Sequence, residues 1–253
     1  MLFPVLLPPE GGAGDSTLFG PIAATYDELR PADANWWELL ELLVREADLV
    51  GRRVLDVGCG TGRVAAAVTE RGGRAWGVEP SPEMAARARA RAVHVKVARA
   101  EQLPFKDGWF DRAVLWLVAH LIDRPAAFGE LARVLKPDGR IAVATFDPEH
   151  FSRYYLNHVF PSLERIDRER FPEPPALVDE LAAAGFSARL IRLTQRAEIG
   201  REEALERIRG RFISTLRLLD DAEFSAGLAR AERDVPERIQ YELHWAIVVA
   251  SRP

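Results

Sequence analysis

The run Asp56-Val57-Gly58-Cys59-Gly60-Thr61-Gly62-Arg63 gathers the residue types best suited to chemistry in this chain. Glycines at 58, 60 and 62 remove side chains where a ligand must approach the backbone closely. The helix expected to follow offers free N–H groups and the positive end of its dipole, which suit an anionic part of a ligand. Asp56, just before the turn, supplies a carboxylate that attracts an ammonium group. Together the two partners fit a zwitterionic amino-acid tail, whereas a pyrophosphate would be repelled by Asp56. Glu79 stands one βαβ unit later, in Val78-Glu79-Pro80-Ser81-Pro82-Glu83-Met84. A carboxylate at that strand end can accept both hydroxyls of a ribose. Asp56, the glycine loop and Glu79 thus outline one site for a nucleoside joined to an amino acid. A Gly-x-Gly pair alone also arises from turn geometry; here the two carboxylates and the strand–turn–helix context favour a ligand.

The elements around these residues follow from hydrophobic period and punctuation. Asn35 to Val50 places apolar residues at helical spacing. Arg53 to Val57, Arg74 to Val78, Val93 to Ala98, Asp111 to Leu117 and Arg140 to Phe146 are short apolar runs that suit buried strands. Helices fall between them at Val64 to Glu70, Pro82 to Arg91 and Pro125 to Leu135. Ser81 serves as an N-cap, and Pro137-Asp138-Gly139 marks a turn. Such alternation argues for an α/β, doubly wound, Rossmann-like fold with a mostly parallel sheet. Pro175 to Ala184 resumes as helix; Ala188 to Thr194 and Leu243 to Ala250 complete seven strands. Residues 202–233 read as two helices around Asp220-Asp221. The expected division is an N-terminal arm at 1–34 and a core at 35–147. Residues 148–253 complete the sheet and carry a helical cap built from insertions at about 148–175 and 196–240. Segments that follow strand carboxyl ends are candidate substrate walls.

The length of 253 residues permits one such α/β domain with a cap. The formal net charge of -4 disfavours a nucleic-acid partner. Cys59 is the single cysteine, so no internal disulfide forms and a cytoplasmic setting is expected. The apolar start, Met1 to Pro9, lacks a basic flank and is too short to span a bilayer. Gly11 to Ser16 is a glycine-rich stretch. No membrane segment and no metal site is expected, and the chain is read as a monomer or homodimer.

The blocks LDVGCGTGR at 55–63, VEPSPEM at 78–84, AEQLPFKDGWFD at 100–111 and ELARVLKPDGR at 130–140 resemble class I S-adenosylmethionine-dependent methyltransferases. Their order is similar to that of the type 11 small-molecule group, with a weaker match at FGPIAATYDELRP, 19–31. The resemblance implies S-adenosyl-L-methionine as cofactor, a small-molecule methyl acceptor and in-line displacement at the methyl carbon. It implies that Asp56, Gly58, Gly60 and Gly62, with Cys59 among them, hold the methionine end and sugar. Glu79 would bind the ribose, while Pro80 and Met84 line the adenine. Ala100 and Glu101 would reach the adenine edge, Leu117 and His120 would lie near the sulfonium, and Tyr26 and Arg30 would close over the cofactor. Where the family usually has Asp before Ala-Glu, this chain has Arg99, which cannot accept the adenine amino hydrogen bond.

Candidate catalytic groups are His120, after the fourth strand, and His150 and Tyr154 in the insertion after the fifth, with Tyr155 and His158 beside them. Each also has a plainer reading as packing or pocket wall. Asp147 could orient a histidine or cap the next turn. Cys59 reads as a small residue in a crowded turn rather than a nucleophile. The loop departs from the Gly-x-Gly-x-x-Gly fingerprint of a nicotinamide-dependent oxidoreductase, because Arg63 occupies the third glycine position. A non-enzymatic S-adenosylmethionine-binding sensor or partner subunit is the remaining alternative.

Overall fold

A computed structural model describes residues 19–252. The apolar start at Met1 to Pro9 and the glycine-rich Gly11 to Ser16 lie outside the described residues. The chain forms α1 (Tyr26–Leu29), α2 (Ala34–Glu46), β1 (Arg53–Val57), α3 (Arg63–Glu70), β2 (Arg74–Glu79), α4 (Pro82–Ala90), β3 (His94–Val97) and β4 (Phe110–Trp116). It continues with α5 (Arg124–Val134), β5 (Leu135–Phe146), α6 (Pro148–Arg153), α7 (Leu163–Arg170), α8 (Pro174–Ala183), β6 (Ser187–Gly200), α9 (Arg201–Arg209), α10 (Asp221–Asp234) and β7 (Arg238–Ser251). The seven strands make one sheet in the order β3-β2-β1-β4-β5-β7-β6. Strands β1 to β5 run parallel, and β7 enters antiparallel between β5 and β6. The strand order reverses direction at β1 and β4, so the crevice at their carboxyl ends is where a ligand of such a sheet binds.

Local chemistry starts and stops these elements. Asp33, Ser81, Asp123, Asp147 and Asp220 each accept a backbone N–H of the helix they precede, which satisfies an otherwise orphan donor. Helix α2 stops at Glu46, four residues before the expected Val50, because Asp48 turns left-handed at φ 55°. Strand β5 starts at Leu135 rather than Arg140. The Pro137-Asp138-Gly139 turn is absorbed as an irregularity between the Phe110↔Leu135 and Arg112↔Arg140 pairs.

Two apolar layers cover the sheet. Phe128, Leu131, Leu177 and Leu181 pack on one face, and Leu39, Leu40, Leu43 and Val68 on the other. A third apolar cluster forms the cap, with Leu156, Phe160, Leu163, Leu205, Ile208, Leu216 and Phe224 around Ile199 and Ile239. Those last two residues lie on β6 and β7, which pair without interruption from Ser187↔Ser251 to Gly200↔Arg238. The hairpin is therefore longer than the expected 188–194 and 243–250, and the ends of the 196–240 insertion are strand. Leu29 of the arm joins the cap cluster, where Gly210 leaves room for it: a Cβ there would come within 2.6 Å of Leu29 Cδ1. No helix among the described residues is long and apolar enough to cross a membrane.

Candidate functional site

The loop after β1 and the end of β2 are tied together by Glu79. Its Oε2 accepts the Gly60 N–H and its Oε1 accepts the Ser81 N–H, both at 2.9 Å. Burial raises its pKa, while the two N–H groups pull it back. Each carboxylate oxygen keeps a lone pair for a further donor. Asp56 is buried at the end of β1, and its Oδ2 accepts the Ala65 N–H at 3.1 Å in the first turn of α3. Its Oδ1 meets no donor among the described residues, and burial pushes its pKa up to about 7. A carboxylate held this way gains strongly from a cation that replaces its lost hydration.

The three loop glycines serve different ends. Gly60, at φ +54°, has open space where a Cβ would stand, and it lines the site. Gly62, at φ +79°, lines neither cavity; a Cβ there would meet Ala88 Cβ at 2.7 Å and Ala88 Cα at 2.9 Å. A Cβ on Gly58 would strike Val118 Cγ2 at 2.5 Å. Gly58 and Gly60 thus border the space, while glycine at 62 also lets α3 pack against α4. Cys59 sits against Gly77, whose Cβ would fall 2.5 Å from its Sγ. Burial pushes the thiol far above its ordinary range, so it is no thiolate nucleophile.

Two cavities meet over this loop. The smaller, about 90 Å³, is walled by Val78, Glu79, Pro80, Met84, Ala100 and Ile122, with Arg99 and Glu101 at its edge. Glu101 Oε1 accepts the Asp123 N–H at 2.9 Å, and its Oε2 lies 3.4 Å from Arg99 Nε. The larger chamber, about 260 Å³, holds Asp56, Gly60 and Thr61 at its floor and aromatic residues of the cap above. Phe19, Tyr26, Gly58, Gly60, Trp116 and Leu117 line both, so the two spaces adjoin. Leu117 adopts φ +53°, unusual for a leucine, at the seam. Backbone held in that region persists only where its surroundings over-determine it, a condition common at ligand sites.

The arm closes one side of the chamber. Arg30 lies over the Tyr26 ring with its carbon 4.5 Å from the centroid, and it donates to the Tyr26 hydroxyl. Asp27 accepts from Thr61 Oγ1 at 2.8 Å and pairs with Arg91. Arg63 donates to the Arg30 carbonyl. These contacts bind the arm directly to the glycine loop and to the end of α4.

His120, His150 and Tyr154 all reach the chamber. His120 stacks on Phe171 at 3.8 Å between centroids, and His150 stacks on Phe146 at 4.0 Å. Burial holds His120 well below its ordinary pKa, with the Arg170 and Arg30 charges adding to the effect. Burial pushes His150 down to about 3. Both rings are neutral at neutral pH. Burial drives the Tyr154 hydroxyl upward, which keeps it a donor. Tyr155 and His158 line neither cavity: Tyr155 packs against the cap core and His158 is exposed. Their places in a 3-10 turn at Tyr155–His158 point them away from the chamber. Asp147 caps α6 and pairs with Arg192, so it orients no histidine. Trp36 and Trp116 line the chamber, while Trp37 packs under Arg71 instead. Asp167, Ser214 and Thr215 also line the chamber, unforeseen from sequence. One acid of three in the charged run Leu163–Arg170 carries no local sign of burial.

Residues 55–143 match the methyltransferase domain family. A demethylmenaquinone methyltransferase of Thermus thermophilus is 34% identical over 211 residues, which cover 70% of this chain and 94% of that protein. An uncharacterized methyltransferase of Mycobacterium tuberculosis is 28% identical over 218 residues, 77% of this chain and 85% of that one. The solved structure of the YcgJ protein of Bacillus subtilis superposes with a TM-score of 0.61 at 23% identity, covering 85% of this chain and 98% of that chain. At that identity it speaks for the fold alone.

Proposed function

The chain belongs to the class I S-adenosylmethionine-dependent methyltransferases, and from that premise we propose that S-adenosylmethionine lies across its two adjoining cavities while a small planar acceptor fills the aromatic chamber. The observation that carries this reading is the shared wall. Tyr26, Gly58, Gly60, Trp116 and Leu117 border both spaces, so a cofactor held by the loop presents its reactive end to the chamber. The donors present fit the group. Gly60 offers bare backbone toward the cavity, and Asp56 holds a buried carboxylate with no ion-pair partner among the described residues. Glu79 is fixed by two N–H groups with lone pairs to spare.

When bound, S-adenosylmethionine supplies an electrophilic methyl carbon on a sulfonium. The work of the protein is to hold and to exclude. Asp56 takes the ammonium and the first turn of α3 the carboxylate; Glu79 takes the ribose hydroxyls. Pro80, Met84 and Ala100 wall the adenine, and Glu101 and Arg99 border its edge. Tyr26 and Arg30 cover the site from the arm. In the chamber, alignment of nucleophile and methyl carbon is worth roughly 7–11 kcal/mol of barrier, and loss of water strengthens every remaining charge interaction. His120 and His150 are neutral and too desolvated to be strong bases. They accept hydrogen bonds from the acceptor. An acceptor that is already a good nucleophile suits these walls better than one that must first lose a proton of high pKa.

Two measurements test this reading. Calorimetry with S-adenosylhomocysteine should show one site per chain. Release of S-adenosylhomocysteine should then be followed over a panel of planar aromatic acceptors. Demethylmenaquinone, the substrate in the name of the Thermus relative, is the first to try. Absence of binding heat from both forms of the cofactor refutes the site. Binding without turnover across a broad metabolite pool would make the chain a sensor instead.

A further inference from the structure

The cap holds a polar cluster that the cofactor does not need. Asp167 of α7 is 6% exposed and lines the chamber. Its Oδ1 accepts the Thr215 hydroxyl. Its Oδ2 meets no donor, and no Lys, Arg or His lies within ion-pair reach, among the described residues. Arg170 is close by but is spent elsewhere. Its Nη1 donates to Thr215 Oγ1 at 3.0 Å, and Nη1 and Nη2 both donate to Ser214 Oγ at 3.3 Å. Each hydroxyl, having accepted from the guanidinium, has its own proton left to give. Thr215 gives its proton to Asp167. That of Ser214 finds no acceptor among the described residues. One wall of the chamber therefore presents an open carboxylate oxygen beside an open hydroxyl proton.

Leaving such a pair unmet where burial strips Asp167 of water is costly, and a ligand that supplies both partners recovers that cost. Burial raises the Asp167 pKa to about 6, so the group is mostly ionised at neutral pH. We propose that Asp167 and Ser214 form the acceptor-reading anchor of this site, and that they grip a hydroxyl on a neutral, planar aromatic acceptor. The anchor rests on the methyltransferase reading above and deepens it. Planarity follows from the walls: Trp116, Phe146, Phe171, Tyr241 and Trp245 surround the space. Neutrality follows from charge. Three arginines, Arg30, Arg63 and Arg207, and three aspartates, Asp33, Asp56 and Asp167, line the chamber, so its formal charges balance. A hydroxyl donates to Asp167 and accepts from Ser214, whereas an ammonium has no lone pair and leaves the Ser214 proton unmet.

The test uses full-length protein with S-adenosylhomocysteine present. The probes are 2-naphthol and 2-methoxynaphthalene, which differ in the hydroxyl proton. Quenching of the chamber tryptophans reads binding. The native protein should bind 2-naphthol at least about tenfold tighter than its methyl ether, in line with a hydrogen bond to a charged group. Asp167→Ala should bring the ratio of the two dissociation constants to within twofold of one, while affinity for S-adenosylhomocysteine stays native. Asp167→Asn, which keeps the shape but not the charge, should lower the ratio by an intermediate factor and keeps the proposal testable if Asp167→Ala does not fold. Ser214→Ala removes a donor that both probe oxygens use, so it should weaken both probes alike while affinity for S-adenosylhomocysteine stays native. A merely structural role of Asp167 would leave the ratio unchanged in both Asp167 variants. A native ratio near one, a ratio retained in both Asp167 variants, or tighter binding of 2-naphthylmethylammonium overturns the anchor. Failure of the native protein to bind S-adenosylhomocysteine overturns the cofactor reading instead, so the two failures are distinct.

Discussion

Replacing Gly60 and Gly62 separately by alanine tests the division of labour in the loop. Both residues have positive φ, +54° and +79°, so either substitution forces alanine into the left-handed region at about 1–2 kcal/mol. At Gly60 that is the whole expected cost, since a Cβ meets nothing within 4 Å. For a chain of this size the melting point should fall by roughly 2–8 °C. At Gly62 the new methyl lands 2.7 Å from Ala88 Cβ and 2.9 Å from Ala88 Cα. No rotamer change can relieve a clash with backbone, so overpacking adds about 1–3 kcal/mol. The summed loss of about 2–5 kcal/mol corresponds to roughly 4–20 °C. Ligand affinity should run the opposite way. The Gly60→Ala methyl would project into the space proposed for the cofactor and should weaken S-adenosylhomocysteine binding by at least about tenfold, or 1.4 kcal/mol. Folded Gly62→Ala should bind within threefold of native. Differential scanning fluorimetry gives the melting points, and calorimetry well below them gives the affinities. Native affinity in Gly60→Ala, or a larger affinity loss in Gly62→Ala, would refute the reasoning.

Glu79→Gln trades one accepting oxygen for a donor that faces the Gly60 or Ser81 N–H. It should lose about 1–3 kcal/mol of stability in a denaturant titration and weaken S-adenosylhomocysteine binding as well. Asp56 has a folded pKa of about 7 against an ordinary 3.8. Its contribution to stability is complete below the lower value and is lost as pH rises through the upper one, up to about 4 kcal/mol. Asp56→Asn should therefore melt higher than native at pH 8 yet lose cofactor binding, and native affinity should climb as pH rises toward 7. The lowered pKa of His150, about 3 against 6.5, works in reverse. That stability is present above pH 6.5 and fades as pH falls toward 3, so His150→Gln should flatten the acid limb of a circular-dichroism pH titration. His120→Gln should reduce turnover at saturating acceptor while S-adenosylhomocysteine affinity stays within twofold of native; equal loss of both would make His120 part of the cofactor site.

Much of the cofactor side was legible because its signals are local. Asp56, the glycine loop, Glu79 and the Ser81 cap all lie within 26 residues, and the place of each follows from strand, turn and helix in sequence. Locality hid a second demand at Gly62, where Ala88 on another helix leaves no room for a side chain. The chamber was less legible because its walls come from segments far apart in the chain. His120 meets Phe171, Asp167 meets Thr215, and Trp245 donates to Gln195, each across 48 residues or more. Nothing near Tyr155 or His158 shows that a 3-10 turn would point them away. The hairpin was underestimated because Gln195-Arg196-Ala197-Glu198 is too polar to read as buried strand. It is held instead by the ladder to Leu243, Glu242, Tyr241 and Gln240.

That hairpin gives the molecule an unusual mechanical continuity. Strand β7 pairs with β5 at Thr145↔Ala246 beside the crevice, and further along it pairs with β6 where Ile239 enters the cap core. One beam therefore spans the floor of the crevice and the roof above it, without a break in the ladder between them. Twisting the sheet would tilt the roof, and loosening the roof would be felt in the floor. Changes meant to retune acceptor choice are best made on α7 or the Ser214–Arg217 turn, which hang from that beam without forming part of it.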